Sequence, residues 1–522
     1  MISNLYKTML LNLKNKTNYL FLVFVLISSL LISCKKTETM TKLKEQNIEN
    51  KKPNILFISV DDLNKTLGYY GNSQIKSPQI DKLASQGTAF VNNHCQQALC
   101  GPSRASILSG LRPDNGKIWE LFTQVRIANP DMVSLPEYLR KYGYETAGSG
   151  KVYDGSTVDN KRDSLSWSIP FVKPKGTRWL EHNETDRFAG ASNENNRNVP
   201  TEAPDRPESD FLDAKIVDEG LKLLDTMAKG NKPFFLAVGI KKPHLPFVAP
   251  KKYWDLYNRD SIKIAEVQEF HKSIPYYHFQ PSWELRSGYA PIPKKDPLPV
   301  AMQKELKHGY YACISHTDNQ VGRLLKALED LGIRENTIVV LWSDHGYHLG
   351  DHLMWNKFTN FEQSTATPLL ISAPGYTLNN KTNSPTELVD VFPTLCDLVG
   401  IEIPNNIDGK SLVSILKNGK EKVKNYAMTQ YHRTTKNGIK LEGYSIRTEQ
   451  YRYTEWVKKM FKSSDGKYNI KNVYASEFYD YERDPLEQKN LITEMKYKNE
   501  IEKHKKFMED YFREQNRLST NN

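Results

Sequence analysis

Two pairs of neighbouring side chains have the types and spacing of a cation site. Asp61 and Asp62 directly follow one apolar run, and Asp344 and His345 follow another. Adjacent carboxylates repel each other unless a cation or a proton shares their site, although a solvated turn also suits such a pair. Three carboxylates at one sheet edge would suit a hard divalent cation such as calcium or magnesium, and His345 leaves the choice of metal open.

A cysteine stands before a predicted helix in the segment HCQQALCGPSRASILSG, residues 94–110. Pro102 is preset for a first helical turn and Ser103 can satisfy free amides there, so we expect Cys100 just before a helix N-terminus. Such a position attracts anions and lowers a thiol pKa. Arg104 follows four residues later, close enough for its guanidinium to flank position 100. The pattern predicts a reactive thiol beside an anion site, with an ordinary buried cysteine as the alternative.

Three buried strands would position these residues. Continuous apolar runs at 54–60, 233–240 and 337–342 are typical of strands buried on both faces of a parallel sheet. Ligands bind at the carboxyl ends of such strands. His244 follows the second run, in a loop stiffened by Pro243 and Pro246.

Helical patterns lie between and around these strands, and their alternation predicts an α/β fold with a mostly parallel sheet and helices on both faces. The predicted helices span 78–86, 102–109, 135–142 and 302–331. After about residue 410 the pattern changes to a hairpin within 444–456 and a charged helix at 496–513, which indicates a smaller C-terminal α+β subdomain.

The N-terminus resembles an export signal. Lys7, Lys14 and Lys16 precede an apolar run at 19–32 that is too short for a confident membrane span and ends at Cys34 in a sequence resembling a bacterial lipobox. We therefore predict a lipoprotein signal peptide at 1–33, a flexible tether at 34–52, a catalytic domain at 53–410 and a C-terminal subdomain at 411–522. Lipid on Cys34 would anchor an exported protein to a bacterial membrane, with the periplasmic side favoured over the cell surface.

Composition restricts the partners. Loss of three lysines with the signal peptide lowers the net charge from +11 to about +8, which favours polyanions. The absence of nucleic-acid-binding motifs argues against nucleic acid and leaves sulfated glycans and anionic lipid. Cys95, Cys313 and Cys396 are too few for a disulfide framework, so at most one pair is expected.

The segment from Cys100 to Arg104, followed by Leu108-Ser109-Gly110, resembles the C-x-P-S-R…L-[ST]-G signature of type I sulfatases. Further family landmarks follow in the family order across nearly the whole mature chain. They are Asp61-Asp62, Gly150-Lys151, Lys242-Pro243-His244, Ser343-Asp344-His345-Gly346, Trp355-Asn356-Lys357 and the segment 477–485. Within the family the chain is most similar to the iduronate-2-sulfatase-like subfamily. The residues that carry this similarity are Gln96-Gln97-Ala98, His345 beside Asp344, Gly150-Lys151-Val152 and residues 318–325.

The resemblance implies an alkaline phosphatase-like fold and one calcium ion. Its ligands would be Asp61, Asp62, Asp344 and His345, completed by Cys100. A maturation enzyme would oxidise Cys100 to Cα-formylglycine (3-oxoalanine), whose hydrate attacks the sulfur of the ester and then expels sulfate through its second hydroxyl.

Further catalytic roles are implied for four residues of the matched motifs. Arg104 would stabilise the nucleophile, Lys151 and Lys357 would neutralise sulfate oxygens, and His244 would be the general acid or a sulfate ligand. One departure stands out, because the family usually has a histidine shortly after Lys151. Here the sequence continues Val-Tyr-Asp154, so Asp154, or His348 from elsewhere, would have to take that place.

The resemblance predicts a sulfuric ester hydrolase acting on a sulfated oligosaccharide or polysaccharide, with algal ulvan one candidate beside carrageenans and animal glycosaminoglycans. One alternative is a phosphodiesterase or phosphatase of the alkaline phosphatase superfamily, which would need a second metal site and no formylglycine. Another is a non-catalytic glycan-binding lipoprotein, suggested by the missing histidine.

Overall fold

The computed structural model describes residues 52–176, 180, 198–376, 379–458, 468 and 470–518. The predicted signal peptide and all but the last residue of the predicted tether lie outside this range, including Cys34. Among the described residues, no helix combines the length and the apolar character that a membrane crossing requires.

Seven strands form the main sheet: β1 (Asn54–Val60), β2 (Thr88–Phe90), β3 (Glu145–Gly150), β4 (Phe234–Ile240), β5 (Thr337–Ser343), β6 (Leu369–Ser372) and β7 (Asn380–Thr382). Only β6 runs against the others, so the sheet is mostly parallel, as predicted. Across the sheet the strands follow the order β7-β2-β6-β5-β1-β4-β3.

Helices cover both faces of this sheet, which confirms the predicted layers. The longer helices are α1 (Pro78–Ser85), α2 (Cys100–Ser109), α3 (Leu135–Lys141), α4 (Leu212–Ala228), α5 (Val300–Asp330), α6 (Val391–Leu398) and α7 (Lys498–Leu518). Leu56 and Ile58 of β1 pack into one apolar cluster with α1, α4 and α5, whereas Ile55 and Phe57 pack into another with α2, α3 and α6.

A second sheet lies towards the C-terminus. It consists of four antiparallel strands in chain order, and the central pair is the predicted hairpin. Its strands are β8 (Ala427–Thr434), β9 (Lys440–Arg447), β10 (Tyr451–Lys458) and β11 (Val473–Asp480). Helix α7 buries Ile501 and Met508 against this sheet, consistent with the predicted α+β subdomain. Residues 53–522 cluster as one unit, and the boundary at 410 stays a prediction.

Candidate active site

Three parallel strands end side by side at the edge where the predicted site residues lie. Val60 of β1 pairs with Ile240 of β4 on one side and with Ser343 of β5 on the other. The residues that follow these strands therefore meet at one edge of the sheet. The backbone amide of Asp61 donates to the Ile240 carbonyl at 3.1 Å, which holds the first carboxylate at the end of its strand.

The predicted metal ligands converge. Ligand atoms of Asp62, Cys100 and His345 lie within 4.8 Å of one another, and so do those of Asp61, Cys100 and Asp344. The Cys100 Sγ lies 3.3 Å from His345 Nε2 and 3.6 Å from Asp61 Oδ1. All five side chains are buried, so their carboxylate charges are not screened by water. Such an oxygen-rich set fits a hard divalent cation.

Helix α2 begins at Cys100 itself, two positions earlier than the predicted start at residue 102, and Leu99 is the extended capping residue. The Ser103 hydroxyl donates to the Asp344 carbonyl at 2.5 Å instead of capping free amides. The prediction of a lowered thiol pKa is wrong. Burial raises the pKa of the Cys100 thiol well above its usual value, because desolvation outweighs the nearby ammonium groups of Lys151 and Lys357.

Arg104 ties two of the carboxylates together. Its Nη2 lies 3.1 Å from Asp61 Oδ1 and its Nε lies 2.9 Å from Asp344 Oδ2, with all three side chains buried. The same guanidinium donates to the backbone carbonyl of Lys151 at 2.5 Å. Arg104 thus fixes the carboxylates from strands β1 and β5 relative to the loop after β3.

Lys151 is held at the site by a close backbone approach. Its amide donates to the Gly239 carbonyl at 2.8 Å, and Gly150, at φ +81°, has no room for a side chain because a Cβ would lie 2.2 Å from that carbonyl oxygen. The ammonium then lies 2.6 Å from Asp61 Oδ2. Burial acts to raise the pKa of Asp61, but Lys151 and Arg104 reverse the effect and hold it well below the usual value.

The second carboxylate, Asp62, pairs with Lys357. The Lys357 ammonium lies 2.7 Å from Asp62 Oδ1 and 3.0 Å from Oδ2, and 3.3 Å from the carboxylate of Glu284. Burial raises the pKa of Asp62 well above its usual value against the pull of Lys357, and the carboxylates of Asp61 and Glu284 add to the rise. Asp61 and Asp62 are adjacent in the sequence, but their carboxylates therefore lie in different electrostatic environments.

The two ring nitrogens of His244 face different acceptors. Its Nδ1 lies 2.6 Å from the Leu245 carbonyl, and its Nε2 lies 3.3 Å from Glu284 Oε1 and 3.9 Å from Asp62 Oδ2. Lys242 supports the loop by donating to the His244 carbonyl at 3.0 Å. Burial, followed by the Lys357 ammonium, lowers the pKa of His244 well below its usual value.

Glu284 belongs to the site but was not predicted. It lies in the short helix Trp283–Gly288, far from any of the motifs, and its side chain is 3% exposed. The backbone amide of Leu285 donates to the Asn356 side chain at 3.2 Å, which docks this helix beside Lys357. The neighbouring Trp283 was the only sequence feature that could have drawn attention to Glu284, and one tryptophan is insufficient to predict that the next residue belongs to an active site.

Of the two candidates for the missing histidine, only Asp154 reaches the site cavity. Asp154 Oδ2 lies 3.5 Å from the Lys151 ammonium and its Oδ1 accepts from the Ser156 amide at 3.0 Å. His348 is buried away from the cavity, with its Nε2 3.0 Å from the Thr359 hydroxyl. Burial acts to raise the pKa of Asp154, but Lys151 and Ser156 keep it lowered.

These groups open into a cavity of about 760 Å³. Its lining includes the aromatic side chains of Phe122, Trp283, Phe358 and Tyr431 and the basic side chains of Lys161, Arg162 and Lys173. Cys100 lines the cavity with Lys151, His244 and Lys357. The remaining described cysteines, Cys95, Cys313 and Cys396, are buried free thiols, so no disulfide forms among them.

The family model described as Sulfatase matches residues 53–401, and a second one, described as N-sulphoglucosamine sulphohydrolase, C-terminal, matches residues 350–514. The chain belongs to the sulfatase family. It is a sulfuric ester hydrolase, as the resemblance predicted.

Similar curated sulfatases come from animals and a bacterium. Iduronate 2-sulfatase of Homo sapiens is 32% identical over 505 residues, covering 84% of this chain and 91% of that protein. A sulfatase of Formosa agariphila is 32% identical over 509 residues, covering 93% and 90%. An ulvan-active sulfatase of Formosa agariphila is 30% identical over 481 residues, covering 90% and 82%.

Solved structures establish the fold of this sulfatase as alkaline phosphatase-like. One neighbour, a complex with its substrate D-glucosamine-2-N,6-O-disulfate, has a TM-score of 0.69 at 21% identity and covers 90% of this chain and 99% of its own. A phosphonate monoester hydrolase of Agrobacterium radiobacter has a TM-score of 0.71 at 21% identity, covering 89% and 96%. The predicted fold class is confirmed.

Proposed function

We propose that this sulfatase hydrolyses sulfate esters on a sulfated carbohydrate, an algal polysaccharide such as ulvan or its oligosaccharides, using formylglycine at position 100 and calcium. The observation that carries the proposal is the convergence of Cys100 with three carboxylates and with Lys151 and Lys357 at the base of one cavity. The ulvan-active relative supports the choice of substrate.

The donor set fits one calcium ion. Asp61, Asp62 and Asp344 supply carboxylate oxygens, and His345 and position 100 supply the remaining ligand atoms. His345 is suited to ligation because burial lowers its pKa to about 4, which leaves the ring neutral. When bound, calcium would offset the buried carboxylate charges and polarise an oxygen carried at position 100.

Conversion of the Cys100 thiol to a hydrated aldehyde would supply the oxygen nucleophile, and a formylglycine-generating maturation enzyme is therefore a required partner. The positions of Lys151, Lys357 and His244 indicate the roles of these side chains in the reaction. Lys151 and Lys357 lie beside the two aspartates and line the cavity, where their ammonium groups can neutralise sulfate oxygens. His244 presents Nε2 to the same space, and in the protonated ring this atom can donate a proton to the departing sugar oxygen or bind a sulfate oxygen.

The cavity is shaped for a sugar ring. Trp283 is 49% exposed and lies parallel to Phe358, with ring centroids 6.2 Å apart. Exposed aromatic side chains inside a pocket indicate a ligand with an apolar face. A pyranose presents such a face between its hydroxyl groups, so Trp283 and Phe358 favour a carbohydrate ester over a small charged ester.

The arrangement around Lys357 argues for one metal ion. Asp62, His244 and Glu284 form a further group with metal-ligand spacing, of the kind that a two-metal phosphodiesterase would need. The Lys357 ammonium already lies within 3.3 Å of two of these carboxylates. A fixed ammonium thus supplies the positive charge at this position, which favours a sulfatase over the phosphodiesterase alternative.

We further propose that the enzyme is exported and lipid-anchored through Cys34 on the periplasmic side of a bacterial membrane. The lysine-containing leader, the apolar run and the cysteine in the N-terminal sequence support this. Metabolic labelling with a palmitate analogue should mark the wild-type protein and not Cys34→Ser. Equal labelling of both proteins would refute lipidation at this residue.

Sulfate release by matured protein tests the catalytic proposal. Protein produced with a maturation enzyme is incubated with oligosaccharides of ulvan, carrageenan and glycosaminoglycans, and free sulfate is measured by ion chromatography. We expect release from ulvan oligosaccharides, none with Cys100→Ala, and full release with the matched control Cys95→Ala. Activity on phosphate diesters without maturation would support the phosphodiesterase instead, and no release from any substrate would support a binding protein.

A further inference from the structure

We propose that Lys161, Arg162 and Lys173 form a second anion subsite, which binds a carboxylate or a second sulfate on the saccharide whose sulfate ester is cleaved. This inference rests on the proposed function and adds the class of substrate: a saccharide with two acidic groups. The three side chains are exposed and line the same cavity as Cys100 and Lys151.

Lys161 and Lys173 both approach Gly155 closely, which they can do because glycine has no side chain. A Cβ placed on Gly155 would lie 3.1 Å from the Lys173 ammonium and 3.1 Å from the Lys161 Cβ. Two segments of the chain, the loop 159–163 and the residues after Phe171, therefore bring their basic side chains together across Gly155. Gly155 thus leaves room for both basic side chains beside it.

The positive charge of the cluster is not balanced within the described part of the chain. No described carboxylate forms an ion pair with Lys161, Arg162 or Lys173, and the nearby Asp154 is paired with Lys151 at 3.5 Å. Partial desolvation of the ammonium, followed by the charge of Lys161, lowers the pKa of Lys173 against a smaller opposing effect of Asp154. Unbalanced like charges lining a cavity favour binding of an anion.

The loop that carries two of the cations is held in an uncommon conformation. Asn160, Lys161 and Asp163 have φ values of 47°, 60° and 53°, in the left-handed region that non-glycine residues rarely adopt. Arg126 holds Asp163 through two contacts of 3.0 and 3.1 Å. Such backbone strain persists where the surroundings fix it, and it is common at ligand clamps.

The cluster also lies where two cavities adjoin. Lys161, Arg162 and Phe171 line both the active-site cavity and a neighbouring cavity of about 610 Å³, which also contains Trp167. A saccharide that extends out of the active site towards this second cavity would pass the three cations. Its second acidic group would then lie on the same ring as the scissile sulfate or on the next one.

The test compares three substrates with the matured enzyme: a sulfated disaccharide with no other acid, the same disaccharide with a uronate carboxylate, and the same with a second sulfate. For Lys173→Gln and Arg162→Gln we expect kcat/KM to fall about three- to tenfold on substrates with two acids, mainly through KM, as for partly exposed ion pairs. The neutral-sugar substrate should show no change. A larger fall in kcat/KM on the uronate substrate would identify a carboxylate as the bound group, and a larger fall on the disulfated substrate would identify a sulfate.

Two further variants make the result specific. Lys175→Gln removes an exposed lysine that does not line the cavity and should leave all three substrates unaffected. Gly155→Ala keeps every charge and requires the Lys173 ammonium and the Lys161 Cβ to move by only a few tenths of an ångström, so its KM on the two-acid substrates should rise less than that of Lys173→Gln. Equal losses on all three substrates, or no loss on any, would overturn the subsite.

Failure of the proposed function can be told apart from failure of the subsite. If the wild type turns over none of the substrates, binding of desulfated uronate oligosaccharides is measured by calorimetry. Weaker binding to Lys173→Gln than to Lys175→Gln would then still support the subsite, and identical binding would refute it.

Discussion

The ammonium of Lys357 lies 3.3 Å from Oε2 of Glu284, a carboxylate that no sequence motif marked. Through its other oxygen Glu284 also lies 3.3 Å from Nε2 of His244. One buried side chain thus orients two groups of the site, both of which also lie near Asp62. Glu284 is a positioning residue for both.

Replacing Glu284 by Gln should therefore impair catalysis without unfolding the protein. Lys357 keeps Asp62 as a partner, but the charge that holds His244 and Lys357 together is lost. We expect kcat to fall by about ten- to a hundredfold, the range for residues that orient groups around a metal centre. Steady-state kinetics of matured protein and a melting curve measure this. Glu266→Gln, at an exposed position, is the control, and an unchanged kcat would show that Glu284 positions nothing.

Removal of calcium should lower both activity and stability. The ligand atoms of Asp61, Asp62 and Asp344 converge with those of Cys100 and His345 in a buried set that is suited to one divalent cation. A ligand that binds only the folded state raises its melting temperature by mass action. We expect chelation to abolish sulfate release and to lower the melting temperature by several degrees, with calcium restoring both. Full activity in protein shown by elemental analysis to be metal-free would contradict the assignment.

Asp154→Asn distinguishes two accounts of the missing histidine. Lys151 has Asp61 at 2.6 Å as its main partner and Asp154 only at 3.5 Å. If Asp154 only helps to orient Lys151, its loss should reduce kcat by no more than about fivefold, as for a weak partly exposed ion pair. A far larger fall in kcat, with an altered pH profile, would show instead that Asp154 carries the proton transfer.

Acid should destabilise the protein partly through His316. This buried side chain packs against Phe211 and Tyr253, and neither ring nitrogen has a hydrogen-bond partner among the described residues. Burial lowers its pKa to about 4, although Asp213 and Glu208 act in the opposite direction. Between about pH 6.5 and 4 the unfolded chain binds a proton that the folded state does not, so stability falls as pH falls.

His316→Phe removes this proton and keeps a ring in place. Denaturant unfolding across that pH range should show a smaller decrease in the free energy of unfolding for the variant, by about 1.4 kcal/mol per pH unit. Parallel curves for the two proteins would mean that His316 is protonated equally in the folded and unfolded states.

The sequence predicted the strands whose ends form the site. The apolar run of β1 is buried on both faces and has the bounds predicted for it, and the polar residues after β1 and β5 meet because parallel strands end at one edge. Strand β3 was missed because its sequence, ETAGSG, has no apolar run. Small residues are required there, since a Cβ on Gly148 would lie 2.8 Å from the Phe171 ring.

What the sequence did not predict depends on contacts between distant segments. Glu284 reaches the site only because its helix docks on Asn356, which is 71 positions away from Leu285. The thiol pKa of Cys100 was misjudged because the helix terminus was considered without the burial around it. Helix α4 was also missed, although its buried residues Ile216, Gly220, Leu224 and Met227 recur at helical spacing.

Mass spectrometry of the peptide that contains Cys100 tests the central claim most directly. The protein is produced with a formylglycine-generating enzyme, its sulfate release is measured, and the peptide is then analysed from the same sample. The account predicts 3-oxoalanine at position 100, in a proportion that matches the specific activity across preparations. Unmodified cysteine in a fully active preparation would contradict it.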